Sequence, residues 1–385
     1  MSKIKISAMV LFLAALLCGC QETPEEVKNN MSEYGENKQM DTSDITYCSL
    51  DELWQLEDYK IEGNIAFDGK IDFSNVEEID VLNLTVERDF LSDANKDKYT
   101  ALFGVDKNQY EESDGGNSGW GKRISYSDGE NAPTFSMMEN GGMAYMARGA
   151  HNPGEYVIEE RYDIDNDDVS DVEAELGERK VNVANVCADM EKWLSENMPM
   201  DGLEYRVSDV YVRKMQDGDN ARRLAMCAEY MHKGMRLDNH TLPIIVEDDD
   251  YNMEKCTTFI STSLEYDGFE TPCFFSRNFH LGVKSAEQVQ KLVDFDSAVR
   301  ILKETMSGFG VFHISKIYPM YLLKLTDKSE GPGAAIEARP SYAFLVTYNG
   351  ADSSIGIIKS SSCDHYFFVD MVTGEVTSDL TEERK

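Results

Sequence analysis

The chain has 385 residues, 42% of them apolar and 10% aromatic, enough to bury a substantial core and more than one domain of ~100–200 residues. Its 37 basic and 71 acidic residues give a formal net charge of −34. That field repels phosphate backbones and anionic headgroups, which argues against nucleic-acid binding and for a solubilised exterior.

The first elements read as an address. Lys3 and Lys5 precede a charge-free run, Ala8 to Leu17, shorter than the roughly 20 residues a bilayer-spanning helix needs. It fits the h-region of a secretory signal. Leu17-Cys18-Gly19-Cys20 then has the lipobox pattern. Residues 1–19 are therefore expected to be a lipoprotein signal peptide, with diacylglycerol on Cys20 anchoring the chain to the outer face of the cell membrane. Two acyl chains anchor stably where one would not. Residues 20–44 form an acidic tether: Gln21 to Asp44 holds seven acidic and two basic residues. As a flexible coil it would reach about 25 Å.

Order is expected from Ser49-Leu50-Asp51-Glu52, a capping box ahead of a short helix bearing Leu50, Leu53 and Trp54. Tyr59 to Phe67 reads as a strand with Asp68-Gly69 as its hairpin turn, followed by strands at Lys70–Phe73 and Val81–Glu87. Ser92 to Phe103 reads as a helix stopped by Gly104. Ser113 to Gly149 contains eight glycines and is either a long loop or short strands with glycine turns. Val183 to Asn197 is the best helix, with Val183, Val186, Cys187, Met190, Trp193 and Leu194 on one stripe.

Further strands are expected at Tyr205–Val212, Arg223–Met231, Leu242–Val246, Thr257–Glu265 and Phe269–Phe275. Ser285-Ala286-Glu287-Gln288 reads as a second capping box before a helical Val289–Val293, and Asp296 as the cap of a helix ending at Gly308. Strands at His313–Leu325, Tyr342–Tyr348 and Tyr366–Asp370 close the chain. Runs of strands joined by short turns predict an α+β fold of mostly antiparallel sheets with a few packed amphipathic helices. The expected division is an N-terminal domain at 45–180, including the glycine-rich 113–149 stretch, and a C-terminal domain at 181–385.

Candidate chemistry is sparse. Cys48, Cys187, Cys227, Cys256, Cys273 and Cys363 are widely spaced with no C-x-x-C, which removes zinc and thioredoxin-like readings and leaves disulfide pairing open. Asp163, Asp165, Asp167 and Asp171 supply oxygens for a loose calcium site or a solvated acidic loop. An EF-hand is excluded, because its sixth and twelfth positions here are Asp168 and Ala174. Glu247 to Asp250 is a second acidic run. Gly116-Asn117-Ser118-Gly119 has the glycine-flanked serine of a protease loop, but His151 nearby lacks the required strand context. The histidines at 151, 232, 240, 280, 313 and 365 form no metal motif. Trp120, Tyr126 and Tyr145 are either a sugar- or peptide-binding platform or core residues.

His365-Tyr366-Phe367-Phe368-Val369-Asp370-Met371-Val372-Thr373-Gly374-Glu375-Val376 resembles the closing hairpin of PepSY-type domains, and Arg339 to Phe344 resembles the strand before it. Gly63 to Phe67, Ala101 to Gly104 and Leu292 to Asp296 are similar to stretches in a family of uncharacterised surface lipoproteins of Clostridia-like Gram-positive bacteria. That family has no established activity, and PepSY-type domains regulate envelope partners. The resemblance therefore implies binding rather than catalysis. The leading expectation is a non-enzymatic, lipid-anchored protein that binds or regulates a cell-envelope partner. The alternative is a small-molecule binder, for carbohydrate or calcium, using residues 113–149. A third class, a hydrolase with catalytic residues far apart in sequence, stays open.

Overall fold

A computed structural model describes residues 44–56, 58–63, 65–71, 73–106, 111–118, 121–127, 134–147, 156–164, 167–215, 222–238, 243–244, 256–257, 262–269, 271–306, 312–326, 332–348 and 365–378. Helices among them are α1 (Leu50–Leu53), α2 (Asp93–Leu102), α3 (Val183–Asn197) and α4 (Phe295–Thr305). Strands dominate, and most pair antiparallel, so the fold is α+β.

The chain forms two compact units, and each is discontinuous in sequence. One draws on residues up to 74 together with 290–319 and 341–385, the other on 75–289 and 320–340. This differs from a linear division at 180/181. That position falls inside an antiparallel hairpin, Glu173–Leu176 with Arg179–Asn182, whose ladder bonds a domain boundary would sever.

In the larger unit, nine strands form a continuous antiparallel run. In spatial order they are Glu111–Ser118, Gly121–Ser127, Thr134–Met138, Met143–Met146, Phe274–Arg277, Thr262–Tyr266, Arg222–His232, Glu204–Met215 and Tyr156–Asp163. The described part of the glycine-rich stretch thus supplies four of the nine strands, with a glycine turn at Gly141-Gly142 between two of them. Separately, Asp80–Val86 pairs with Leu281–Gln288 and with Ala335 to Ala338. Helix α2 starts at its N-cap Ser92 and stops before Gly104, at φ +64°. Helix α3 has the bounds its apolar stripe predicts and buries Val183, Val186, Cys187, Met190 and Leu194. Phe103, at the end of α2, stacks on Tyr145 with centroids 4.3 Å apart and also meets Phe135, Phe275 and Trp193. These rings form the centre of the larger unit's apolar core.

In the smaller unit, the capping box at Ser49 is present: its hydroxyl accepts from the Glu52 amide, and Glu52 accepts from the Ser49 amide at 2.7 Å. The first hairpin turns at Gly63, φ +117°, between Asp58–Ile61 and Ile65–Lys70. Asp68 and Gly69 lie within the second strand instead, and the absence of a Cβ on Gly69 lets the Phe67 ring lie over it. The strand ends at Lys70, and neither Ile71 nor Phe73 extends it. Helix α4 is capped by Asp294, two residues before the expected Asp296; Asp294 accepts from the Ser297 amide at 2.6 Å. Its Phe295 packs edge-on to Tyr342 and Tyr59 and stacks on Phe344. Ser341 to Val346 pairs with His365–Asp370, which pairs in turn with Val376–Ser378 around Gly374.

The predicted helix after Ser285 does not form. Ser285 to Gln288 is the end of a strand paired with Asp80 to Asn83, and the Ser285 hydroxyl accepts from the Asn83 side chain at 3.0 Å. Four local residues fit a capping box there, but pairing with Asp80 to Asn83 holds the segment extended.

A tight turn in the larger unit gives the first prediction. Gly234 has φ +81°, and a Cβ there would stand 1.6 Å from the Asn75 carbonyl oxygen. Gly104 is also left-handed but faces open space. Gly234→Ala should therefore cost several kcal/mol, against about 1 kcal/mol for Gly104→Ala. Urea unfolding of both variants checks the contrast.

Candidate functional site

The residues singled out from sequence do not assemble into a site. Cys20, Trp120, Asp165, His151 and 247–250 lie outside the described residues. Tyr126 and Tyr145 are core residues, stacked on Phe135 and Phe103, so neither ring is offered as a surface platform. Asp167 accepts from the Asp163 amide at 2.8 Å and Asp168 from the Ser170 amide at 3.1 Å, so this acidic segment shapes its own turn. Among the described residues, no group of three or more His, Cys, Asp or Glu side chains is arranged to hold a metal ion.

What the larger unit does contain is a set of buried charges. Glu265, 2% exposed, receives Arg213 at 2.8 Å and Arg223 at 3.4 Å. Asp80, 1% exposed, receives the His232 ring at 2.9 Å and the Lys233 ammonium at 3.0 Å. The other nitrogen of His232 faces the Gly202 carbonyl at 2.8 Å. Both centres pair opposite charges and join separate strands, which is a structural arrangement.

Arg277 is different. It is 1% exposed, and no carboxylate faces it among the described residues. Its position follows from a turn at Glu139-Asn140-Gly141-Gly142. Gly141 has φ +82°, and a Cβ there would stand 2.1 Å from the His280 Cβ, so only glycine lets the turn press on residues 278–280. Asn140 fastens it, donating to the Asn278 carbonyl at 3.2 Å and accepting from the Gly142 amide at 2.9 Å. The Gly141 carbonyl is left facing inward, where Nε and Nη2 of Arg277 donate to it at 3.2 and 3.0 Å. Nη1 donates to the Tyr205 hydroxyl at 3.3 Å, and the guanidinium lies 5.6 Å from the centroid of Phe90.

A guanidinium carries five N–H donors. These three bonds leave one on each terminal nitrogen without a partner among the described residues. Burial works against the charge, but the phenols of Tyr205, Tyr230 and Tyr99 outweigh it and hold the pKa above its ordinary value.

His280 stands beside this group. Its ring is tilted over Phe90 at 5.7 Å, on which Tyr99 also stacks at 5.2 Å. Its Nδ1 is buried with no hydrogen-bond partner. Burial first, then the positive Arg277, pushes its pKa down to about 4; Glu87 opposes the shift and Lys98 adds to it. The Lys98 ammonium lies 4.7 Å over the Tyr99 ring. The arrangement is thus two cations on two stacked rings, with the orphaned imidazole nitrogen of a ring tilted over Phe90 and Glu87 as the acid acting on it.

Sequence reading missed Arg277, although a signal was present. In Phe274-Phe275-Ser276-Arg277, strand alternation puts Arg277 on the same face as Phe275, the core face. A charge at a core-facing position marks a polar centre.

Two predictions follow from these groups. Glu265→Gln leaves two guanidiniums around a neutral amide and should cost about 3 kcal/mol in urea unfolding. For His280, the folded pKa of about 4 lies below the ordinary value near 6.5. The unfolded chain therefore binds more protons between these values, and stability rises with pH there. The contribution is fully present above pH ~6.5 and is lost as pH falls toward 4. Relative to His280→Phe, the wild-type protein should lose stability across that window, which paired urea titrations would show.

No protein-family model and no curated protein matches the sequence. Among solved structures, an uncharacterised protein from Eubacterium rectale is similar, with a TM-score of 0.52 at 10% identity. The match covers 91% of this chain and 98% of that one. At that identity the likeness shows a shared fold and no more.

Proposed function

We propose that the chain is a lipid-anchored, extracytoplasmic protein that is not an enzyme and whose folded body binds or regulates a cell-envelope partner. The supporting observation is the state of its reactive side chains. Burial pushes the Cys48 thiol up to about 11 and those of Cys187 and Cys273 up to about 12. At neutral pH a nucleophile needs the thiolate, so these three thiols are inert. His280, at about 4, is too weak a base for general catalysis near pH 7. The buried tyrosines Tyr205, Tyr230, Tyr321 and Tyr342 are all pushed upward by burial. Burial favours the neutral form of each of these groups near pH 7, which suits packing.

The anchor in this reading rests on the lipobox at Cys20, and the tether on the acidic stretch after it. No helix among the described residues is long and apolar enough to cross a membrane. Cys20→Ser should move the protein from the membrane fraction into the medium, and retention of that variant would reject the anchor. Cross-linking on intact cells followed by mass spectrometry tests the partner: repeated capture of one envelope protein supports the reading.

A second reading, small-molecule binding, is favoured by one observation: the orphaned donors and ring nitrogen around Arg277 and His280. That chemistry calls for an anion rather than for carbohydrate or calcium.

A further inference from the structure

Buried polar groups in native proteins are paired, and each exception needs a water, an ion or a function to explain it. Three exceptions lie close together in the larger unit: one N–H on each terminal nitrogen of Arg277, and Nδ1 of His280. All belong to side chains that pack on Phe90.

We propose that Arg277, His280 and Lys98, over the stacked rings of Phe90 and Tyr99, form a binding site for the carboxylate of a small organic acid. The inference rests on the small-molecule reading and names its ligand class.

Three features select that class. First, the charges acting on His280 are Arg277 and Lys98 against Glu87. They sum to one positive charge, which a monoanion neutralises and a phosphate dianion overshoots. Second, the two remaining Arg277 donors sit on different nitrogens, and a carboxylate presents two oxygens to such a pair. Third, the neighbours of the guanidinium and the imidazole are the rings of Phe90 and Tyr99, stacked at 5.2 Å, so an organic acid would meet aromatic carbon rather than further polar groups beside them. In a chain with 71 acidic residues against 37 basic, this concentration of cations without a protein carboxylate on the guanidinium is where an acid would be taken up.

Carboxylate binding has a signature beyond affinity. A bound anion beside His280 favours the imidazolium, which opposes the depression caused by burial and Arg277. The experiment is an NMR titration of the histidine rings of the full-length protein, with benzoate and acetate as probes and chloride at matched ionic strength as control. The expected result is a saturable rise of the His280 pKa by about one unit or more with the carboxylates and none with chloride. Lys98→Ala changes an exposed position and should preserve the fold while weakening benzoate binding about tenfold. His280→Phe keeps the contact with Phe90, and in thermal melts it should be at least as stable as wild type yet lose the response to benzoate.

An unmoved His280 at saturating probe, or equal shifts with chloride, would overturn the site. So would an ordered water detected on Nδ1 that benzoate does not displace. A parallel thermal-shift screen with glucose and calcium separates the two levels of the inference. Stabilisation by either, without a carboxylate response, rejects the carboxylate site but keeps small-molecule binding. No response to any probe rejects both.

Discussion

A glycine turn pressed against a neighbouring loop leaves the Gly141 carbonyl facing the interior, and the polar centre of the larger unit is built around satisfying it. Leaving such a carbonyl unpaired costs about 1–3 kcal/mol. Burying a guanidinium costs several kcal/mol unless its charge and its donors are met. Arg277 is therefore a costly answer to one carbonyl, and it is tolerated because Tyr205 takes another donor and Phe90 presents its π face to the cation. The same bond ties the Phe274–Arg277 strand to the turn that precedes Met143–Met146, two strands already paired along their length. Tyr205 carries the connection further by donating to the Met198 carbonyl at 2.8 Å, just past the end of α3. The turn, three strands and the end of a helix thus depend on one side chain.

The other buried charges show what Arg277 lacks. Glu265 is met by Arg213 and Arg223 from two different strands, and Asp80 by the Lys233 ammonium and the His232 ring, so the cost of desolvation is offset by close opposite charge. Replacing the carboxylate of either cluster leaves its partners uncompensated. Arg277 carries that uncompensated state in the native fold, with aromatic rings and phenol oxygens in place of a carboxylate.

Much of the fold was legible in the sequence, because several elements carry redundant local signals. Helix α3 combines an apolar stripe with an Asn182 cap, and α2 combines a serine cap with a glycine stop. The failures share a cause. At Ser285 a capping box lost to cross-strand pairing, and at Asp68-Gly69 a favourable turn dipeptide lost to Gly63, whose backbone adopts the left-handed conformation the hairpin needs. At α4 the expected cap, Asp296, lies inside the helix, where it accepts from the Tyr59 hydroxyl, and Asp294 caps the helix instead. The Arg277 centre was the least legible. It joins residues 90, 99, 141, 205, 277 and 280, whose proximity depends on the order of nine strands, and no local pattern encodes that order.

That strand order also bears on how a partner would dock. Among the described residues, Tyr156–Asp163 pairs on one side only, which would make it a template for strand addition. Its ladder, however, steps from Glu160 opposite Val212 to Ile158 opposite Arg213, so Glu159 is a bulge. The Glu159 carboxylate is held by Arg222 at 2.7 Å, with Lys214 at 3.9 Å. Arg161, two residues on, is paired with Asp209 at 2.9 Å. A bulge breaks the regular spacing of outward donors and acceptors, and fixed charges beside it penalise an incoming strand. Backbone-to-backbone docking is disfavoured at this edge. A partner meeting it would have to recognise side chains, the exposed Val157 and Ile158 among them, and specificity would then rest on shape and charge rather than on the generic adhesion of an open strand.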